Sequence, residues 1–180
     1  MDTNQKIKWV VDPTHSTIVF KIKHLTLTHL RGEFTKFHAE IISTGKDFEG
    51  ARLTATLAAD SIYTHLAERD HHLKSADFFD AETYPEIRLE NCVLEKLDDE
   101  NYQVNANLII KEIKKPIHLD VDFGGIVADG SGREKAGFSL TAKLNRNEYG
   151  LSWNKVLDEG ILMLGEEVRI IGDIQFIRQA

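Results

Sequence analysis

From Tyr102 to Phe123 the chain alternates apolar with polar residues almost without a fault, and this alternation constrains the fold more than any other feature. Tyr102, Val104, Ala106, Leu108 and Ile110 alternate with Gln103, Asn105, Asn107 and Lys111. Ile117, Leu119, Val121 and Phe123 then alternate with His118, Asp120 and Asp122. Side chains of a strand point to opposite faces in turn, so a period of two describes a sheet with one buried and one wet side.

The same period recurs elsewhere. Ile18, Phe20 and Ile22 fall on one face against Lys21 and Lys23, and Leu53, Ala55 and Leu57 fall together against Thr54 and Thr56. Ile87, Leu89 and Val93 are expected to share a side. After a glycine-rich stretch from Gly124 to Gly137, read as a loop, come Phe138, Leu140, Ala142 and Leu144, then Val168, Ile170, Ile174 and Phe176. Strands in this number, about eight, joined by short turns imply an antiparallel sheet that closes on itself to hide its edges. The 180 residues show no linker or internal repeat, so one all-β barrel domain over 1–180 is expected.

One segment breaks the pattern. His65-Leu66-Ala67-Glu68-Arg69-Asp70-His71-His72-Leu73 has no alternation and is rich in helix formers. It predicts a short helix around 65–73, capped by Thr64, burying Leu66 and Leu73 and covering one end of the barrel. Another short turn of helix is expected near Leu157 to Leu162. Arg69 and Asp70 share the leucine face, where an isolated charge is very costly. They read either as an ion pair pinning the helix to the barrel mouth, or as Arg69 meeting the polar head of a ligand.

The inward faces mix large residues (Phe20, Phe34, Phe123, Phe138) with small ones (Ala55, Ala106, Ala142). The small ones either leave room for an apolar ligand along the axis or accommodate large neighbours opposite. A formal charge of −7 argues against non-specific binding to nucleic acid or to anionic lipid surfaces. No run approaches a transmembrane span, so stable membrane insertion is not expected. The polar opening Met1-Asp2-Thr3-Asn4-Gln5-Lys6 lacks an apolar signal-like stretch and predicts a cytoplasmic protein.

Chemistry-bearing motifs are sparse. His65, Glu68 and His72 are expected on the outer helix face, but seven residues at ~1.5 Å each put the histidines about 10 Å apart, too far to share an ion. No HExxH or paired CxxC supplies further ligands, so no metal or other cofactor is expected. Cys92 has no activating neighbour in sequence, His15 reads as part of a local turn from Asp12 to Ser16, and Gly130-Ser131-Gly132 reads as loop beside Asp129. No specific active site emerges, and the chain is not expected to be an enzyme.

Several blocks, in order along nearly the whole chain, resemble the YceI-like family. They are Trp9-Val10-Val11-Asp12-Pro13-Thr14-His15-Ser16, Arg31-Gly32-Glu33-Phe34, Glu68 through Phe79 with its Arg-Asp-x-His-Leu core, and Asn145-Arg146-Asn147-Glu148-Tyr149-Gly150-Leu151. The resemblance implies an extended lipocalin-like barrel, an elongated apolar cavity holding a polyisoprenoid or similar lipid such as a quinone or prenyl phosphate, and a homodimer. Combined with the strand faces, it makes Phe20, Ile22, Phe34, Leu57, Arg69, Phe78, Leu89, Leu108, Leu119, Val121, Phe138 and Leu140 the candidate ligand-binding residues. An enzyme acting on a lipid-like or quinone substrate at the barrel mouth is the alternative.

Overall fold

The structure is a computed structural model and describes residues 5–45 and 47–180, so the polar opening Met1-Asp2-Thr3-Asn4 lies outside it. In chain order the strands are β1 (Lys6–Val11), β2 (Thr17–His24), β3 (Thr28–Phe34), β4 (Phe37–Thr44), β5 (Arg52–Ala58) and β6 (Ile62–Tyr63). Helix α1 (Ala67–Lys74) follows, and then β7 (Glu86–Lys96), β8 (Asn101–Ile110), β9 (Ile113–Ala128), β10 (Glu134–Asn145) and β11 (Leu164–Arg178).

All pairings are antiparallel. The order β1-β4-β5-β7-β8-β9-β10-β11, with β11 returning to β1, closes an eight-stranded barrel of the lipocalin-like kind. The first strands are bent rather than separate. β11 pairs with β1 through Phe176–Arg178 and with β2 through Leu164–Asp173, so β1 and β2 form one strand interrupted at Pro13–His15. β3 and β4 break in the same way at Thr35 and Lys36, and beyond the break β2, β3 and β6 extend the wall upward. Asp12 holds the first bend: its carboxylate accepts bonds from the Thr14 N–H and hydroxyl and from His15, and pairs with Lys135 at 3.1 Å.

Alternation holds along β8 and β9, where Tyr102, Val104, Ala106, Leu108, Ile117, Leu119 and Val121 are all buried. It fails in β7. Asn91 adopts φ 56 and the register shifts between Glu90 and Val93, which turns Cys92 and Leu94 inward and leaves Val93 39% exposed. A bulge inserts one residue and so exchanges the faces beyond it. The stretch from Gly124 to Gly137 is likewise mostly strand, with the turn confined to 129–133 and organised by the Asp129 carboxylate. Among the described residues no helix is long and apolar enough to cross a membrane.

Candidate functional site

The barrel encloses a cavity of about 790 Å³. Its lower end is sealed by aromatic rings. Phe48, from the loop between β4 and β5, is 1% exposed and packs against Trp9 (5.3 Å between ring centroids), Phe123 (5.3 Å) and Phe138 (5.0 Å). Tyr102 and Phe176 extend the cluster, and the Phe48 N–H donates to the Tyr102 hydroxyl at 3.4 Å.

Above this floor the wall is aliphatic and aromatic. All twelve candidate residues lie on it: Phe20, Ile22, Phe34, Leu57, Arg69, Phe78, Leu89, Leu108, Leu119, Val121, Phe138 and Leu140. Ala39 and Ala55 are direct cross-strand partners on the wall, so the space in front of them stays free. Ala142 also lines the cavity, whereas Ala106 is buried outside it and Phe123 belongs to the floor. Gly32 shows why the Arg31-Gly32-Glu33-Phe34 block is written as it is. A Cβ there would lie 2.2 Å from the Phe20 ring, so only glycine lets that ring lie across β3 and reach Phe34 at 5.9 Å.

Polar groups gather at the upper end, where α1 stands beside β6. The helix begins two residues later than predicted, and Thr64 does not cap it. The Thr64 N–H (2.8 Å) and hydroxyl (2.5 Å) donate to Asp70 Oδ1 instead. Arg69 completes the arrangement, its Nε donating to the Thr64 hydroxyl at 2.8 Å and an Nη to the Thr64 carbonyl at 2.6 Å. The two charges therefore meet through Thr64 and make no direct ion pair, and among the described residues no acid lies within ion-pair distance of Arg69. Leu66, expected to be buried, is 50% exposed at the rim because the chain turns at His65 (φ 63) before the helix starts.

Glu68 and His72, expected on the outer face, line the cavity, while His65 stacks on Tyr63 before the helix. His72 Nε2 bonds Asp77 at 2.8 Å, and its ring meets Phe78 (5.1 Å) and Trp153 (4.7 Å) edge-on. Among the described residues no three His, Cys, Asp or Glu side chains group as a metal ion requires. Cys92 is buried and its thiol is pushed up to about 12, by burial and then by the charge of Glu90, so it is protonated at neutral pH.

Arg146 was not singled out from the sequence. It is 3% exposed, lines the cavity, and donates to the carbonyls of Gly165 (2.8 Å), Trp153 (2.8 Å) and Leu151. Burial lowers its pKa from the ordinary arginine value, opposed by the charge of Glu166. The cavity thus has a buried cation held by carbonyl oxygens beside its polar end. Only the Asn145-Arg146-Asn147-Glu148-Tyr149-Gly150-Leu151 block could have pointed to it, because periodicity places it past the end of a strand.

A family model described as YceI-like domain matches residues 9–176. The chain belongs to the YceI-like family. UPF0312 proteins of Staphylococcus aureus and Staphylococcus epidermidis are each 34% identical, over 92% and 94% of this chain and 94% and 96% of their own. Among solved structures, the Campylobacter jejuni YCEI protein superposes with TM-score 0.71 at 27% identity, covering 89% of this chain and 91% of that one. Burkholderia cenocepacia BcnA gives TM-score 0.76 at 19% identity (92% and 98% covered) and shares the fold. So does a polyisoprenoid binding domain from Saccharophagus degradans, with TM-score 0.67 at 11% identity (95% and 98% covered).

Proposed function

We propose that this YceI-like barrel holds one long apolar isoprenoid-type lipid, such as a quinone or prenyl phosphate, tail down and polar head at the α1 end. The carrying observation is the polarity gradient of a single cavity, which is closed by aromatic rings below and rimmed by Arg69, His72 and Arg146 above. The volume falls in the range of small-molecule sites. Each buried CH₂ contributes about 0.8 kcal/mol, so a tail supplies affinity while the rim supplies selection among heads. The polyisoprenoid binding domain of Saccharophagus degradans, which has the same fold, supports this ligand class.

The test is a chain-length series of prenyl alcohols and diphosphates titrated against the protein and against Ala55→Phe, which fills the space opposite Ala39. Affinity should rise with each isoprene unit until the cavity is full, and Ala55→Phe should bind only shorter members. Affinity independent of chain length would contradict the reading.

Catalysis at the mouth has one favouring observation, the His72–Asp77 pair beside the cavity. The reading is of a carrier that is not an enzyme: the His72 ring is wedged between Phe78 and Trp153, and the neighbouring Ser75 hydroxyl is turned away from it, donating to the His72 main-chain carbonyl at 2.6 Å. Recovery of the bound prenyl diphosphate or quinone unchanged after prolonged incubation is the expected result, and a converted product would favour the enzyme. A homodimer is proposed on the family resemblance, and sedimentation velocity at micromolar concentration tests it.

A further inference from the structure

Across the β10, β11, β2 and β3 wall, four cations stand in direct cross-strand register, three of them around one outer depression and the last, Arg31, also bordering the cavity. Lys143 of β10 pairs with Arg169 of β11, Arg169 with Lys21 of β2, and Lys21 with Arg31 of β3. At the ordinary strand spacing the row is about 14 Å long. Like charges directly opposite destabilise a sheet. Among the described residues, Glu167, bonded to Arg169 at 3.2 Å, is the one carboxylate within ion-pair distance of any of the four. Lys23 and His29, the next outward pair on β2 and β3, carry the basic strip toward the barrel mouth. A chain of net charge −7 has here concentrated a net positive charge on one face, offset only in part by Glu167 and by Asp120, which borders the same surface as Lys21, Lys143 and Arg169.

Just above that strip the surface becomes apolar. Leu27, at the tip of the β2–β3 hairpin, is 78% exposed. Beside it the loop 155–163 folds as a second small hairpin, bridged at Val156 and Leu162, which are 66% and 43% exposed. The base of this second hairpin is tied to the β2–β3 turn by the Leu25 N–H donating to the Met163 carbonyl at 2.9 Å. Met163, Leu164 and His24 also line the cavity, so the exposed lip is continuous with its mouth. Asp158 and Glu159 occupy the turn of the second hairpin. The charge attraction therefore comes from the sheet, and the loop contributes apolar area.

We propose that this basic face and apolar lip dock the barrel on an anionic lipid bilayer, so that a ligand passes between the membrane and the cavity without crossing water. Neither feature alone gives this. Cations next to a mouth fringed with exposed leucine and valine match the charged surface and the greasy interior of a bilayer in the right order. A second copy of the chain is a poorer occupant, since a two-fold contact at this face would set one cation row against the other. The inference rests on the carrier reading for its purpose, but its test uses ligand-free protein, so the two fail separately.

The experiment is co-sedimentation with phosphatidylcholine vesicles, with and without phosphatidylglycerol, at two salt concentrations. Binding is expected to the phosphatidylglycerol vesicles, weakened by salt. Neutralising two cations in Lys21→Gln/Lys143→Gln should lower the partition coefficient about 30-fold, and Leu27→Asp should lower it separately, both with an unchanged melting temperature. Absence of binding at low salt, equal binding of the double variant, or a Leu27→Asp effect on dimerisation alone would each overturn the proposal.

Discussion

At the sealed end, Phe48 sits among Trp9, Phe123 and Phe138 with almost no exposed surface, and the neighbouring rings meet at 5.0–5.3 Å. At the open end, Thr64, Arg69 and Asp70 form a hydrogen-bonded triad, while Leu66 and Leu27 face solvent. One end has spent its apolar side chains on itself, and the other leaves them uncovered around a cavity. The contrast teaches that the barrel's apolar anchoring lies at one end and its binding capacity at the other, where a polar network holds the mouth, and substitutions should grade the two.

The largest effect is expected at the floor. Phe48→Ala removes a buried ring and should cost ~3–5 kcal/mol. For a protein of this size that is a fall of about 10 °C in melting temperature. Thermal denaturation checks it, and a fall of only a degree or two would mean the plug is not the anchor of the fold. Next comes the triad. Arg69→Met and Asp70→Asn each break charge-assisted bonds to buried Thr64 and should cost ~1.5–3 kcal/mol in ligand-free protein. Unchanged stability with lost preference for anionic heads would move Arg69 from a structural role to a binding one.

A smaller, pH-dependent effect belongs to Asp12 at the bend. Its carboxyl is held well below the usual range by the Thr14 hydroxyl first, then by His15 and Lys135. A depressed native pKa means the ionised form stabilises the fold fully above about pH 4, and this contribution fades as pH falls toward the native value. Asp12→Asn should therefore lose ~0.5–1.5 kcal/mol at pH 7 and clearly less at pH 2, where the native carboxylate has begun to lose its advantage. Parallel denaturant titrations at both pH values decide it, and an equal loss at both would refute the linkage. The smallest change concerns reactivity alone. With its thiol pushed up to about 12, Cys92 should resist a thiol reagent at pH 8 until the barrel unfolds.

The fold was legible wherever both faces of a strand obeyed one environment. β8 and β9 alternate cleanly, because one side meets the cavity or core and the other meets water, and the wall residues could be read from that. Val93 was assigned to the wrong face because a bulge at Asn91 is a backbone event that an apolar–polar pattern does not encode. The roles of Thr64 and Leu66 were misread for a related reason. Capping preference assumed a helix starting at His65, but the left-handed turn there moves the start to Ala67 and frees Thr64 to bind Asp70. Arg146 was invisible to periodicity, since its partners are main-chain carbonyls brought together by the loop after β10. The basic row was hidden most deeply, because Lys21, Arg31, Lys143 and Arg169 are scattered in sequence and meet only through strand register.

The central claim is that the cavity between these two ends holds a lipid, and native mass spectrometry of the purified protein with solvent extraction of the bound material tests it most directly. The account predicts a mass excess matching one long-chain isoprenoid-type molecule per chain, restored when delipidated protein is offered such a lipid. A chain that carries no lipid as isolated and takes up none when supplied would contradict it.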